Sequence, residues 1–289
     1  MLFRSLVANA RRVRLIAQSD SKSDRADAET LARLGRLDPA LLKPIRHRGV
    51  EAQLDLSLIR ARDALVQART QLVNHVRGAV KSVGGRLPKC STESFPTKVR
   101  GEIPEALRPA LGPVLELIAA ITKELSRYDR QVETLAATRY PETAALRQVP
   151  GVGALTALSY VLTLEDPARF PKSRAVGSYL GLRPRQHDSG ASAPQLRITK
   201  SGDAHLRRLL VGSAHYVLGP FGPDSDLRRW GMTLAARGGK NAKKRAVVAV
   251  ARKLAVLLHR LWVTGATYEP LRLADRCQAA APALAAPSC

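Results

Sequence analysis

Aromatic residues are scarce in this 289-residue chain, where they account for only 4% of the sequence. Proteins that bind single-stranded nucleic acid by base stacking depend on aromatic rings, so a stacking platform of that kind is disfavoured. Cysteine is also scarce: Cys90, Cys277 and Cys289 are far apart and odd in number. This spacing matches neither a zinc site nor a disulfide framework, and it is typical of a protein in a reducing cytosol.

Long apolar runs are missing as well. No stretch of the sequence approaches the ~18 consecutive apolar residues that a membrane-spanning helix requires. Near the beginning of the chain, Arg4, Arg11 and Arg12 interrupt the apolar residues before a secretory signal can form. The sequence therefore predicts neither a membrane protein nor a secreted one.

Acidic residues are few relative to basic ones: 24 Asp and Glu stand against 47 Lys and Arg, which gives a formal net charge of +23. A folded domain with so large an excess repels itself unless a polyanion offsets it, and nucleic acid is the usual polyanion. Hydrophobic residues make up 45% of the chain, which is enough for a packed core. We therefore expect a folded nucleic-acid-binding protein of about two domains; a merely basic soluble protein is the alternative.

Helical periodicity dominates the first half of the sequence. A helix is predicted to begin at Ser23, a favourable N-cap residue, with Asp24 and Asp27 in its first turn. Apolar residues at helical spacing predict one long helix over 50–82 and a second over about 103–138. Two such helices joined by a polar loop predict an antiparallel hairpin or coiled coil, with plain bundle helices as the alternative. The predicted apolar stripe of the first long helix consists of Leu54, Leu58, Leu65, Leu72, Val76 and Val80.

Glycine turns and shorter helices follow Leu146, and a basic and apolar helix over about 242–263 ends the pattern. Residues 149–153 read Val-Pro-Gly-Val-Gly, an apolar-Gly-apolar-Gly turn that opens a helix and is typical of a helix-hairpin-helix module. In such a module Gly151 and Gly153 let the backbone approach a phosphate, toward which the amides of the helix N-terminus point. A tight turn between two packed helices is the alternative.

Basic residues recur in three stretches of the second half, around 183–200, 207–208 and 240–245. Nothing in the last of these stretches implies bidentate recognition of a base, so we interpret it as a candidate for contacts to phosphates. The residues predicted to bind DNA or RNA are Arg183, Arg185, Lys200, Arg207, Arg208, Lys240, Lys243, Lys244 and Arg245.

Two features could carry chemistry. Asp24 and Asp27 are three residues apart on a predicted helix, so both carboxylates face the same way and could share a Mg²⁺ ion. Acids that stabilise the helix dipole are the alternative. Ser189 precedes Gly190 in a loop flanked by basic residues, where a hydroxyl could attack a phosphodiester. Loop serines are commonly turn formers, so composition alone assigns no chemistry to Ser189.

Several segments, in the same order along the chain, resemble the DEDD-type insertion-sequence transposases related to the Piv DNA invertase, a family also known as bridge-RNA-guided recombinases. Residues 22–28, Lys-Ser-Asp-Arg-Ala-Asp-Ala, resemble the family's K-T-D-x-x-D-A, and residues 69–85 resemble the segment that enters its coiled coil. The other similar segments are 149–153, 181–184, 189–190, 198–202, 206–210 and the closing helix at 246–259.

The resemblance carries specific implications for mechanism. In this family a RuvC-like domain with an RNase H fold carries four acids, Asp-Glu-Asp-Asp, that bind Mg²⁺, and a second domain supplies a serine nucleophile. The resemblance implies that Asp24 and Asp27 are the third and fourth acids and that Ser189 forms a covalent phosphoserine with DNA. It further implies a structured noncoding guide RNA as a partner and a homo-oligomer, a dimer or tetramer, assembled through the coiled coil.

One departure from the family pattern concerns the other two acids. They lie on strands that precede Val13, whereas the twelve residues before Val13 here contain no acid. We therefore expect a chain truncated at its amino terminus, through a late start codon or gene decay, and inactive as given. Asp188 is a lesser departure, because its carboxylate could repel a phosphate near Ser189. The alternatives are a non-catalytic nucleic-acid-binding remnant and, third, a Holliday-junction nuclease.

The sequence thus predicts a mainly α protein in four parts. Residues 1–48 are expected to form a partial RuvC-like α/β remnant, and residues 49–140 a long antiparallel coiled-coil hairpin. Residues 141–275 are expected to form a helical transposase domain that contains the helix-hairpin-helix and Ser189, and residues 276–289 a disordered tail. Such a DNA-handling protein is expected to be cytoplasmic, associated with the nucleoid and without a membrane partner.

Overall fold

The fold is given by a computed structural model, in which the chain divides into two compact units, Met1–Val50 and Glu51–Cys289. The structure describes residues 6–8, 23–42, 44–45, 47–187, 189–190, 192, 194 and 196–272. The tail at 276–289 lies outside the described residues, so its disorder stays a prediction.

Helices provide the regular structure of the described residues, which contain no β-strand and only two isolated antiparallel bridges, Pro184 with Ile198 and Ser189 with Ser192. The mainly α class is therefore confirmed. The α-helices are α1 (Asp24–Leu37), α2 (Val50–Ser82), α3 (Phe95–Val99), α4 (Arg108–Arg139), α5 (Thr143–Arg147), α6 (Ala154–Leu164), α7 (Arg174–Tyr179), α8 (Ala204–Leu218), α9 (Asp226–Ala236) and α10 (Ala242–Thr264). Four short 3₁₀ turns lie between them at Pro39–Leu42, Arg100–Glu102, Glu105–Leu107 and Pro167–Arg169.

The first unit contains α1, whose beginning follows from its N-cap. The Ser23 hydroxyl accepts a hydrogen bond from the amide of Ala26 at 3.2 Å, which satisfies one of the free amides of the first turn. Asp24 and Asp27 follow in that turn, where the helix dipole stabilises acids. The predicted N-cap is confirmed. Residues 13–17 of the predicted RuvC-like remnant lie outside the described residues, so its α/β character stays a prediction.

Helices α2 and α4 of the second unit form an antiparallel hairpin. The guanidinium of Arg62 donates to Asp129 at 2.6 Å and that of Arg69 to Thr122 at 3.3 Å, so residue numbers rise on one helix as they fall on the other. The antiparallel pairing and the bounds of α2 are as predicted. The side chains packed between the helices are Ala52, Leu56, Ile59, Val132 and Ala136 at one end and Val73, Val76, Val80, Leu111, Leu115 and Ile118 at the other.

Two details of the hairpin differ from the prediction. Leu54, assigned to the apolar stripe, is 59% exposed. The end of α2 that contains Leu54 packs against both α4 and α6. Ala52 and Leu56, rather than Leu54, are buried in that contact. Helix α4 also begins later than predicted, at Arg108. Pro109 occupies its first turn, where the missing amide costs nothing, and a 3₁₀ turn takes up the residues before it.

In the rest of the second unit, α10 packs against α5, α7, α8 and α9, and α6 packs against α4, α5 and α8. Every residue of α6 except Leu155 is buried, as expected of a helix that is apolar on all sides. The buried Tyr160 hydroxyl donates to the carbonyl of Ala255 on α10 at 2.6 Å, so this polar group is satisfied within the core. Helix α10 spans the predicted residues. Among the described residues, no helix combines the length and apolar character needed to cross a membrane.

Candidate nucleic-acid interface

Between α7 and α8, two segments of the chain pair through their backbones, and we call the described residues of 183–199 the serine ribbon. The amide of Arg185 donates to the carbonyl of Arg197, and the amide of Thr199 donates to the carbonyl of Arg183, both at 2.9 Å. These bonds flank the antiparallel bridge between the two segments of the ribbon. Backbone pairing therefore begins directly where the ribbon leaves the body.

The tip of the serine ribbon carries Ser189. Ser189 and Ser192 exchange backbone hydrogen bonds of 3.1 and 3.0 Å, and Gly190 between them has a φ of 54°, in the left-handed region that glycine adopts without strain. Ser189 is exposed, so its side chain is accessible from solvent and is not packed in the apolar core. Asp188, the predicted source of phosphate repulsion, lies outside the described residues.

Residues 179–182 and 200–202 form what we call the ribbon base. Two glycines allow the backbones of these two segments to approach each other closely. Gly181 has a φ of 69° and Gly202 a φ of 76°. A Cβ at Gly181 would overlap the backbone of the returning segment, and a Cβ at Gly202 would overlap the carbonyl oxygen of Tyr179. Glycine is therefore required at both positions by conformation and by contact.

The ribbon base is attached to the body by apolar and polar contacts. Leu180 and Leu182 are buried in the main core. From α8, one nitrogen (Nη1) of the Arg207 guanidinium donates to the carbonyls of Leu180 (3.1 Å) and Ser201 (2.8 Å), which belong to opposite segments of the base. Burial lowers the pKa of Arg207, and the nearby Asp203 partly offsets that effect. These contacts favour an anchoring role for Arg207 over the predicted phosphate contact.

Exposed cations lie on the serine ribbon and its base. Arg183 and Arg185 are exposed on the ribbon, and the Arg183 guanidinium donates to the side chain of Gln186. Lys200 is exposed at the ribbon base with a φ of 56°, a region that costs a residue with a Cβ about 1 kcal/mol. Its amide donates to the carbonyl of Gly181 at 3.1 Å, which helps to hold this conformation. Backbone strain of this kind recurs at functional sites.

A cluster of charges joins the beginning of α8 to the hairpin. Asp63 on α2 accepts from Arg208 at 2.7 Å and lies 3.4 Å from Nδ1 of His205, while Arg60 lies 3.9 Å from Asp203. Burial raises the pKa of Asp63, but the hydrogen bond from Arg208 and the charge of His205 outweigh it and hold the pKa below its ordinary value. Sequence reasoning identified Arg208 only as a predicted nucleic-acid contact and missed its pairing with Asp63, because α2 and α8 are far apart in the chain.

The glycine turn at 149–153 connects α5 to α6. Gly151 has a φ of 86°, and a Cβ there would lie 2.9 Å from the Tyr216 ring and 3.1 Å from the Ser213 carbonyl oxygen on α8. This close approach explains Gly151 as part of a turn between packed helices. Gly153, by contrast, is exposed at the N-cap of α6, with open space around its Cβ position. A phosphate contact at this turn stays a prediction, and it is better placed at Gly153.

The beginning of α10 is strongly basic. Its first turn contains no acid, although positive charge at a helix N-terminus is unfavourable by roughly 0.3–1 kcal/mol per charge. Lys240, Lys243 and Lys244 form no ion pair with any part of the chain that the structure describes. These positive charges therefore do not stabilise α10, and an anionic partner would offset their unfavourable interaction with the helix dipole. The exposed cations of this turn are Lys240, Lys243, Lys244 and Arg245.

Asp24 and Asp27 lie side by side in the first turn of α1, the former exposed and the latter half-buried. Carboxylate oxygens are the donors that Mg²⁺ prefers, so the pair fits part of a magnesium site. Within the described ranges, no three His, Cys, Asp or Glu residues cluster closely enough to hold a metal ion. The pair also fits the alternative role of stabilising the helix dipole.

Two family models match the chain. One, described as Transposase IS116/IS110/IS902 family, matches residues 143–226, which contain the glycine turn, the serine ribbon and all of α8. The other, a DEDD model described as Transposase, matches residues 3–84, which contain Asp24, Asp27 and α2. The two matches follow each other along the chain without overlap.

Curated relatives agree with these matches. The transposase for insertion sequence element IS1111A of Coxiella burnetii is 32% identical over 258 residues, which cover 86% of this chain and 68% of the relative. A probable family 20 transposase of Pseudomonas aeruginosa is 29% identical over 86% of this chain and 74% of its own length. The pilin gene-inverting protein of Moraxella lacunata is 32% identical over 38% of this chain and 33% of its own length. The chain therefore belongs to the IS110-type family of insertion-sequence transposases.

Proposed function

We propose that this protein cuts and rejoins DNA with Ser189 as the nucleophile. The adduct experiment described below also tests the inactivity that the acid motif predicts. The observation that carries the proposal is the exposed position of Ser189 at the tip of a basic ribbon. In the forward step a bond forms between Ser189 Oγ and a phosphorus atom of DNA, while the bond from that phosphorus to a deoxyribose oxygen breaks. The released hydroxyl receives the proton that the serine loses. Attack by a deoxyribose hydroxyl on the phosphoserine reverses these changes and rejoins the strand.

The ribbon supplies charge near the reacting phosphate. Arg183, Arg185 and Lys200 are exposed on the ribbon or its base, so they offer positive charge to the phosphates that flank the scissile bond. Asp24 and Asp27 would hold Mg²⁺, as the family resemblance implies. A bound Mg²⁺ supplies charge stabilisation to a reacting phosphoryl group. The carboxylates themselves offer hard oxygen ligands and acceptors for a proton.

The wider DNA contact involves two further surfaces of the second unit. The basic beginning of α10 offers several exposed cations to a phosphate backbone, and Gly153 offers the free N-terminus of α6. By family resemblance, a structured guide RNA shares this positive surface, and the α2–α4 hairpin assembles copies of the chain as a coiled coil. A protein with this substrate works at the nucleoid.

Trapping of a covalent adduct tests the nucleophile. We expect the wild-type protein, incubated with Mg²⁺ and DNA of its own insertion-sequence ends, to form a protein–DNA adduct that survives denaturation. Ser189→Ala should remove the adduct, because the side chain then has no oxygen, while Ser192→Ala at the paired position of the tip should retain it. Denaturing electrophoresis of labelled DNA measures both results. Cleavage that persists in Ser189→Ala without an adduct would indicate a nuclease of the Holliday-junction type instead.

A second candidate function is nucleic-acid binding without chemistry. It is favoured by one observation: the formal net charge of +23 is accounted for by binding of a polyanion alone. In that case the wild-type protein binds DNA tightly and forms no adduct under any of these conditions. The same experiment therefore separates the two candidates.

The basic turn of α10 is expected to set much of the salt dependence of DNA binding. Each phosphate contact contributes a slope of about −0.9 to log K against log salt concentration. The triple variant Lys240→Gln/Lys243→Gln/Lys244→Gln should therefore reduce the slope by about 2–3 and weaken binding to all sequences alike. Fluorescence anisotropy at several salt concentrations measures the change.

A matched control removes the same charge from exposed residues outside both the proposed DNA interface and the two hairpin helices. These residues are Lys89, Lys98 and Lys172, and their replacement by glutamine should leave the slope close to its wild-type value. Equal slopes for the two triple variants would contradict a specific contact at α10 and would indicate only the general attraction of a basic protein.

A further inference from the structure

Arg207 lies on the side of α8 that faces the ribbon base. Its guanidinium is half-buried beneath the ribbon base and donates to two backbone carbonyls, those of Leu180 and Ser201. Leu180 belongs to the outgoing segment of the chain and Ser201 to the returning one. One side chain of α8 thus holds both ends of the serine ribbon, which carries Ser189.

A small rotation of the serine ribbon at its base changes the position of Ser189 at its tip. Ser189 lies eight positions after Gly181 in the chain, a span of at most about 26 Å at ~3.3 Å per extended residue. A rotation of about 3° at the base then moves the tip by more than 1 Å, and a misplacement of about 1 Å can slow a reaction about 100-fold. The direction of the ribbon is therefore set where Arg207 holds it.

From this geometry we infer that Arg207 is a positioning residue for Ser189, which orients the serine ribbon through the carbonyls of Leu180 and Ser201 and does not itself contact DNA. The effect of Arg207 on catalysis rests on the proposed function, whereas its role in holding the serine ribbon does not. It also gives Arg207 and the adjacent Arg208 different roles, because Arg208 reaches Asp63 on α2 and not the ribbon base.

Hydrogen exchange of the ribbon tests the structural part in the full chain. In Arg207→Met the amides of Arg185, Thr199 and Lys200, which pair the two segments, should exchange about 10-fold faster or more, because the base is no longer held. Arg208→Met removes the same charge from the neighbouring position of the same helix and should leave these amides at the wild-type rate. Unchanged ribbon exchange in Arg207→Met would overturn the inference.

Adduct formation and DNA affinity test the functional part. Arg207→Met should form the adduct at least about 10-fold more slowly at saturating DNA, while its affinity and the salt slope of binding stay at wild-type values. If Arg207 instead contacted a phosphate, affinity would fall, the slope would drop by about 1, and the ribbon would exchange normally. That result would overturn the inference.

Two further comparisons separate this inference from misfolding and from failure of the proposed function. Arg207→Lys keeps a donor near the two carbonyls, so it should restore part of the adduct rate and part of the ribbon protection. If Arg207→Met melts as a whole at lower temperature, Arg207→Lys decides the question. Wild-type melting together with ribbon exchange between the rates of the wild type and Arg207→Met supports positioning, and exchange at the wild-type rate overturns it. Absence of an adduct in the wild-type protein would count against the proposed function, whereas the exchange experiment would still decide the role of Arg207.

Discussion

Replacing Gly202 with alanine is expected to destabilise the protein by about 3 kcal/mol or more and to lower its melting temperature by about 10 °C. A Cβ at a φ of 76° is strained by about 1 kcal/mol, and it would also overlap the carbonyl oxygen of Tyr179, so the backbone has to move. Because Leu180 beside it is buried in the main core, the displacement reaches the body of the second unit. Scanning calorimetry of both proteins measures the difference.

Gly84 provides the matched control for that experiment. It has a φ of 81°, yet nothing lies within 4 Å of its Cβ position. Gly84→Ala therefore carries the conformational cost without the overlap, and it should destabilise the protein by only about 1 kcal/mol. If the two variants melted at the same temperature, the close approach of Gly202 to Tyr179 would contribute nothing to stability, and our account of the ribbon base would be wrong.

Signals that act within a few residues predicted the long helices well. Helix α2 ends at Ser82, one residue before the glycines at 84 and 85, and Ser23 caps α1 through its own side chain. Helix α10 likewise follows the apolar periodicity of its sequence. In each case one turn of the helix repeats the pattern of the turn before, so the prediction needs no knowledge of the rest of the fold.

Interactions between distant segments explain where the prediction fails. The periodicity of α2 is compatible with burying Leu54, but the face that is buried depends on α6, which follows much later in the chain. Asp55 is buried on that face although a carboxylate has no place in an apolar stripe. Its partners, Arg139 and Tyr140, lie at the opposite end of the hairpin sequence, so no local pattern predicts their contact.

The candidate site also combines features that local sequence signals predict with features that only tertiary contacts reveal. Composition and motif place Ser189, the cations and the glycine turn in one region, and they predict the same role for Arg207 and Arg208. The structure separates these two neighbours, because successive residues on a helix point about 100° apart. Arg207 meets the carbonyls of the ribbon base, whereas Arg208 meets Asp63 on α2. Only the tertiary arrangement distinguishes an anchor from an exposed cation.

The buried carboxylate of Asp55 is expected to contribute strongly to the stability of the hairpin. It accepts hydrogen bonds from the Tyr140 hydroxyl at 2.6 Å and from Arg139 at 3.1 Å, and its side chain is only 11% exposed. Burial and the bond to Asp55 raise the pKa of Tyr140, so the phenol stays protonated and continues to donate. Asp55→Ala leaves this phenol without its acceptor and should destabilise the protein by about 2–3 kcal/mol, measured by urea unfolding.

Asp129 gives this prediction a control between the same two helices. It pairs with Arg62 at 2.6 Å, a distance as short as any in the Asp55 cluster, but its side chain is 53% exposed. Water and salt screen that pair, so Asp129→Ala should cost less than about 1 kcal/mol. Asp55→Asn, which keeps an oxygen for Tyr140, should fall between the two alanine variants. Equal losses for Asp55→Ala and Asp129→Ala would mean that burial does not decide the strength of these contacts, and the hairpin would then owe its stability to its apolar clusters alone.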